Sequence, residues 1–228
     1  MHRYLYALAL LGCGGGSKSP DAAVALEAGP CGSETFFTGD FVDWDSSDAT
    51  FCGIFQATWT VRGDPAHTDS TNPNGRFELC VPPGVVTLVD ITPPTVASEC
   101  VAPQGQMYTA RGIAVADPTS IARGAVFSAR AFTTTRRDMF FAAAGLPYDA
   151  LNAQIVVHLA TPAAVSCTAP HDAAQAWNGT AWSASSTGVD VLFPNVMIPG
   201  SGTTSITVAG GRTVSVPVVA DTITYVTP

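Results

Sequence analysis

From Thr35 onward the chain is a series of short apolar runs, each bounded by Gly, Pro, Asn or Asp. FFTGDFVDW (Phe36–Trp44), FQATWTVRG (Phe55–Gly63), GRFELCVPPG (Gly75–Gly84) and VVTLVDITPP (Val85–Pro94) follow one another in this way. They are rich in β-branched and aromatic residues, and several alternate polar with apolar. Such runs read as strands, and strands at this spacing predict a β-sandwich. The C-terminal third repeats the texture. AQIVVHLA (Ala153–Ala160), GVDVLFPNVMIPGSGTTSITVAGG (Gly188–Gly211), Thr213–Val219 and Thr222–Val226 are read as further strands. Between them, TTTRRDMFFAAAGL (Thr133–Leu146) predicts a helix, with Thr135 as cap, Asp138 near its start and Gly145 as its stop. Phe140 and Phe141 are expected to pack on the second sandwich.

TDSTNPNGRFELCVPPG (Thr68–Gly84) carries the most local information. Asn74-Gly75 predicts a hairpin turn, because both central positions of such a turn want positive φ. Arg76-Phe77-Glu78-Leu79 then alternates, and Pro82-Pro83-Gly84 stops the strand. With Thr68, Asp69, Asn74, Gly75, Phe77, Pro83 and Gly84 in matching places, the stretch resembles carboxypeptidase regulatory-like domains, which have a transthyretin-like fold. The likeness covers Thr35 to Pro94, with Thr71–Pro73 as an insertion that lengthens the turn. Phe193, Pro199 and Gly200 stand where Phe77, Pro83 and Gly84 stand in the first copy, which suggests a second, more divergent unit. The resemblance thus implies an all-β chain of tandem transthyretin-like or Ig-like β-sandwiches, with a short helix between them or in the second. The expected units are 34–105 and 136–228, joined by a connector at 106–135.

At the N-terminus, His2 and Arg3 precede an apolar stretch from Tyr4 to Leu11, and LALLGCGGGSK (Leu8–Lys18) then turns abruptly to small residues. The stretch is too short for a membrane span of ~20 residues and has the build of a secretory signal. Leu10-Leu11-Gly12-Cys13 resembles the lipobox of bacterial lipoproteins. The resemblance implies a signal at 1–12, cleavage before Cys13, lipid on Cys13 and a flexible tether over 13–33. Gly14, rather than Asp, after the cysteine implies onward sorting to the outer membrane of a Gram-negative cell. Removing Arg3 with the signal leaves nine basic residues against eighteen acidic ones, a net charge of −9. That balance argues against nucleic acid, whose affinity rests on cationic contacts to phosphate.

A secreted compartment permits disulfides. Besides Cys13 the chain has Cys31, Cys52, Cys80, Cys100 and Cys167, an odd number with no C-x-x-C pair. If strands of the first unit run alternately up and down, Cys31 and Cys80 lie at one end of the sandwich and Cys52 and Cys100 at the other. Strand ends are ~20 Å apart, whereas bridged Cα atoms lie ~5.5 Å apart. Cys31–Cys80 and Cys52–Cys100 are therefore expected, with Cys167 left over.

No residues assemble into a recognisable catalytic, cofactor or metal motif. His67, His158 and His171 fit no zinc-peptidase helix, and His158 reads as a structural histidine in a strand. Cys167 and His171 are close in sequence but have Pro170 between them and no orienting partner. Ser201 lacks the glycines of a nucleophile elbow. Asp40, Asp43, Asp45 and Asp48 offer oxygen ligands that suit calcium and equally suit a solvated strand end with Asx turns. Trp177 and Trp182, flanking Asn178-Gly179, suit either a glycan-stacking platform or a hairpin closed against the core. The sequence thus points to a lipid-anchored, non-enzymatic envelope protein with a structural, adhesion or binding role. Its partners would be the membrane, through the lipid, and an unidentified protein or glycan; the alternative is a carbohydrate-binding module built on Trp177 and Trp182.

Overall fold

A computed structural model describes residues 30–47, 51–95, 107, 108 and 111–228. The expected Cys13 lipid site, the signal and most of the tether lie outside the described residues. The fold is all-β, two sheets packed face to face with two short helices. β1 (Thr35–Asp43), β4 (Arg76–Val81) and β7 (Phe127–Ala131) form a three-stranded sheet in the order β4-β1-β7. β4 runs antiparallel and β7 parallel to β1. The parallel neighbour comes so close at Gly39 that a Cβ there would sit 2.2 Å from the Phe127 carbonyl oxygen.

The larger sheet draws on the whole chain. Its strands are β2 (Thr58–Val61), β3 (Asp64–Ser70), β5 (Thr87–Thr92), β6 (Arg111–Ala116), β8 (Ala153–Cys167), β9 (Gln175–Trp177), β10 (Trp182–Ala184), β11 (Thr187–Val196) and β14 (Thr222–Val226). They lie in the order β10-β9-β11-β8-β14-β6-β5-β2-β3. The β12–β13 hairpin (Thr203–Val208 and Thr213–Pro217) joins through β12 to the far end of β8. The two expected units therefore share one sheet. β14, the last strand of the expected second unit, pairs in parallel with β6, which comes from the expected connector, and with β8. All five β14 residues are buried because both faces and both edges are covered, as is usual for strands with parallel neighbours. The segment read as connector also supplies α1 (Pro118–Ala122) and β7. Its Gly112-Ile113-Ala114-Val115-Ala116 run is buried throughout, a continuous rather than alternating pattern that hid the strand.

Two layers of core follow. Phe37, Phe41, Phe77 and Phe127 of the small sheet meet Trp59, Leu192 and Tyr225 of the large one. Trp59 stacks on Phe77 across the gap, with centroids 3.8 Å apart. On the opposite face of the large sheet, Ile155, Val157, Val191 and Phe193 pack under the β12–β13 hairpin side chains Ile206, Val214 and Val216. Successive residues of β8 thus feed opposite cores, with Val156 in the first and its neighbours in the second.

α2 (Thr134–Ala144) closes one end of the first layer. Thr133, not Thr135, is its cap, accepting from the Arg136 amide at 3.3 Å, and Gly145 ends it in the left-handed region at φ 68°. Phe140 and Phe141 reach Trp44, Phe132 and Tyr148, so the helix packs on the shared core. The expected Asn74-Gly75 hairpin is also placed differently. Gly75 does take positive φ, at 75°, but the turn carries the chain from β3 in the large sheet to β4 in the small one. Thr71, inside the inserted segment, plugs this crossover: its buried hydroxyl donates to the Ile54 carbonyl at 2.6 Å and accepts from the Ala57 amide at 2.9 Å. Cys31 and Cys80 form the expected disulfide, with Cα atoms 5.4 Å apart, but for a different reason: the extra strand β3 reverses the chain once more, so β4 runs antiparallel to β1 and its end returns to the Cys31 end. Cys52 is disulfide-bonded too; Cys100, its expected partner, lies outside the described residues.

Candidate functional site

The three-stranded sheet is too narrow to cover the large one. Past the β7 edge, the strands β8, β11, β9 and β10 are left to face α2 and solvent, and two hollows open there on either side of Trp177. The first has a volume of about 460 Å³. Trp177 and Trp182 stand opposite each other on β9 and β10, joined by a turn in which Gly179 has φ 100° and Asn178 Oδ1 accepts from the Thr180 and Ala181 amides. Their ring centroids are 5.7 Å apart and their planes 50° apart. Trp177 is 6% exposed. Trp182 is half-buried and stacks on Trp44, with centroids 4.6 Å apart and planes 11° apart. The two rings form the wall of a hollow rather than a flat face. Phe140, which meets the Trp182 ring edge-on, Met139 and the Asp45–Arg136 ion pair at 2.5 Å also line it.

The second hollow is larger, about 650 Å³, and is lined by Arg130, Asp190 and His158, which form one charged cluster. Asp190 on β11 is 2% exposed. One of its carboxylate oxygens accepts from Arg130 Nε at 2.8 Å and the other lies 2.6 Å from Nδ1 of His158 on β8. Arg130, on β7, also donates through Nη1 to the carbonyls of Trp44 and Ser46 and sits 5.1 Å over the Trp177 ring. The cluster therefore ties the small sheet to the large one. Burial pushes the Asp190 carboxyl upward, but the His158 hydrogen bond and the Arg130 charge outweigh it and hold the group below the usual carboxylate range. An ionised carboxylate can only accept, so Nδ1 of His158 is the donor and Nε2 is left free of Asp190. His158 is thus a strand histidine with a structural partner, as its sequence context suggested, and it also lines a cleft.

The remaining sequence candidates are dispersed. Asp43 is buried, accepts from the Tyr108 hydroxyl at 2.7 Å and is pushed upward by burial, against the pull of that hydrogen bond. Asp45 is paired with Arg136, Asp40 faces the larger cleft, and Asp48 lies outside the described residues. Among the described residues, no three or more His, Cys, Asp or Glu side chains gather into a metal site. Cys167 is a free thiol beside Thr204, with Sγ 3.6 Å from its Oγ1, and burial pushes it up. His171 instead packs against the Phe193 ring. Ser201 bonds within its own turn.

Arg130 and Asp190 were not singled out from the sequence. The available signal was a single carboxylate, Asp190, inside the apolar run GVDVLF, opposite a single histidine in IVVHLA. A charge alone in a buried strand requires a partner, and β11 pairs with β8 in a register that sets Asp190 directly across from His158.

The chain matches no known protein family, and neither the curated proteins nor the solved structures give a match.

Proposed function

We propose that this protein is an extracytoplasmic lipoprotein, anchored by lipid on Cys13 in the outer membrane, with a non-catalytic β-sandwich of the transthyretin-like kind serving a structural, adhesion or binding role. The observation that carries the reading is the Cys31–Cys80 disulfide, which ties β1 to β4. Protein disulfides persist outside the reducing cytosol, and the lipobox-like Leu10-Leu11-Gly12-Cys13 supplies the route there. Several acyl chains, each contributing ~0.8 kcal/mol per buried methylene, hold such a domain on a bilayer. Labelled palmitate is expected to enter the wild-type chain and to be lost in Cys13→Ser. A mature N-terminus that is unmodified and upstream of position 13 overturns the reading.

The alternative is a carbohydrate-binding module. It is favoured by Trp177 and Trp182 lining one hollow together with Gln175 and Thr180, an aromatic wall beside groups that hydrogen-bond. A glycan array with no binding, unchanged in Trp182→Ala, removes it.

A further inference from the structure

We propose that the cleft around Arg130, Asp190 and His158 is a binding site for a neutral sugar ring. The proposal rests on the carbohydrate reading but seats the ligand on the other side of Trp177, away from the Trp177–Trp182 hollow.

The buried Asp190 carboxylate orients two nitrogens. Because His158 donates through Nδ1, its Nε2 carries a lone pair in the neutral imidazole. Arg130 spends Nε on Asp190 and Nη1 on two carbonyls, and Nη2 has no hydrogen bond among the described residues. The side chains are 12% exposed for Arg130 and 21% for His158, and both line the cleft. The cleft is therefore presented with one fixed donor nitrogen, Arg130 Nη2, and, on a neutral His158, one fixed acceptor, Nε2. Trp177 under the guanidinium and the two carbonyls on Nη1 prevent Arg130 from swinging away. Ordering these side chains in advance lowers the cost of binding.

The charge balance selects the ligand class. Asp190 cancels the charge of Arg130. Asp40, the other carboxylate on the wall, repels anions. A carboxylate or phosphate would thus meet a guanidinium already neutralised. A hydroxyl-bearing ligand fits better, since each hydroxyl both donates and accepts. It can accept from Arg130 and donate to His158 and Asp40, while Ser128 on the β7 wall offers a further hydroxyl. Phe51 and Val126, exposed at 57% and 63%, supply apolar surface on the same walls for the C–H face of a ring. The volume of about 650 Å³ falls in the range of small-molecule sites.

The test is a nitrogen–proton NMR titration of the oxidised, folded protein with glucose, galactose, mannose and N-acetylglucosamine, with glucuronate as the charged comparison. At least one neutral sugar is expected to shift the His158 and Trp177 side-chain signals. His158→Ala and Ser128→Ala are each expected to weaken that binding, His158→Ala by about tenfold, the equivalent of one good hydrogen bond. Trp182→Ala is expected to leave it within about twofold, a difference too small for a lost stacking contact. Circular dichroism checks that each variant folds, and Ser128→Ala decides the matter if His158→Ala does not. No shift from any neutral sugar at ~50 mM, a ceiling far weaker than ordinary specific binding, overturns the proposal. So does glucuronate binding more tightly than every neutral sugar. Binding lost in Trp182→Ala but retained in His158→Ala and Ser128→Ala also overturns it, and assigns the ligand to the Trp177–Trp182 hollow. None of these outcomes bears on palmitate labelling at Cys13.

Discussion

Trp44, just past the end of β1, and Trp182, on β10, stack face to face although 138 positions separate them in the chain. The contact joins the first strand to the last edge of the large sheet, and it is one of several such ties. Arg130 joins β7 to β11, and Arg212 in the β12–β13 turn pairs with Asp117 and donates to Ser120 Oγ at the α1 end. With the large sheet continuous from β10 to β3, the two halves are bound into one sheet, and the core between the sheets draws on both. Urea unfolding is therefore expected to be a single transition, with tryptophan fluorescence and far-ultraviolet circular dichroism superimposing. Two resolved transitions would mean that the halves fold separately. Trp182→Ala is expected to lower the midpoint of that one transition by the equivalent of ~2–4 kcal/mol, somewhat less than for a fully buried tryptophan.

The Cys31–Cys80 bond closes a loop with a sequence separation of 49. On the chain-entropy argument such a loop contributes ~4 kcal/mol by restricting the unfolded chain. The Cys31→Ala, Cys80→Ala double variant is expected to lose stability on that scale under oxidising conditions, measured as a fall in the urea midpoint with the slope rising as the unfolded chain expands. A midpoint unchanged within error would mean that the bond is not formed in solution.

How far the sequence could be read follows from what each residue's neighbours do. β1, β4 and β5 are half-buried and alternate, so their period betrayed them; Thr222–Val226 was legible because its run is bounded by turns. β3 was missed because DPAHTDS is polar and contains Pro65. Such residues suit an edge strand, where they discourage pairing with another chain. β6 was missed because its run is buried without alternation, and β7 because its partner β1 lies far away in sequence and the parallel pairing leaves no local turn signal. The same distance explains the site. Trp177 and Trp182 flank a local turn and were visible. Arg130, His158 and Asp190 come from three strands: the β8–β11 register sets the last two opposite each other, and Arg130 reaches them from the small sheet.

Asp190 supplies a pH dependence with a definite sign. Its folded carboxyl lies below the usual range, so its contribution is fully present above the unfolded value of ~4 and is lost as pH falls through the folded value. Asp190→Asn is expected to cost ~3 kcal/mol at pH 7, since it leaves Arg130 buried without its counter-charge. The deficit is expected to shrink as pH falls below ~4 and through the folded value, as the wild-type carboxylate takes up its proton. Parallel wild-type and variant stabilities from pH 7 to pH 3 would refute this assignment.

His67 works in the opposite direction. On the edge strand β3 it lies 2.7 Å from Asp64 and 3.1 Å from Glu34. The Asp64 hydrogen bond chiefly, with help from the Glu34 charge, raises the imidazole above its ordinary value. A raised histidine stabilises fully below the unfolded value of ~6.5 and loses that contribution as pH rises through the folded value. Stability is expected to decline slightly from pH 6 to pH 8.5 in wild type and to lose that slope in His67→Gln. The pair is exposed, so 1 M salt is expected to flatten the slope as well.

Gly75 is the position where backbone geometry is least forgiving. Its φ of 75° lies in the left-handed region, and a Cβ there would sit 2.2 Å from the Phe41 carbonyl oxygen and 2.8 Å from Gly53 Cα. The colliding atoms are main chain and cannot rotate away. The Phe41 amide donates to the Gly75 carbonyl, and the Phe41 carbonyl accepts from the Ile54 amide, each at 2.8 Å. Making room for a methyl group therefore breaks or stretches the bonds that dock the crossover onto β1. Gly84 gives the comparison, because it has nearly the same φ, 73°, with nothing within 4 Å of a Cβ. Gly84→Ala is expected to cost ~1 kcal/mol from conformational strain alone. Gly75→Ala is expected to cost at least ~3 kcal/mol, the strain plus the disturbed hydrogen bonds. Paired thermal melts measure the difference, and equal costs at the two positions would show that the crossover can move aside without loss.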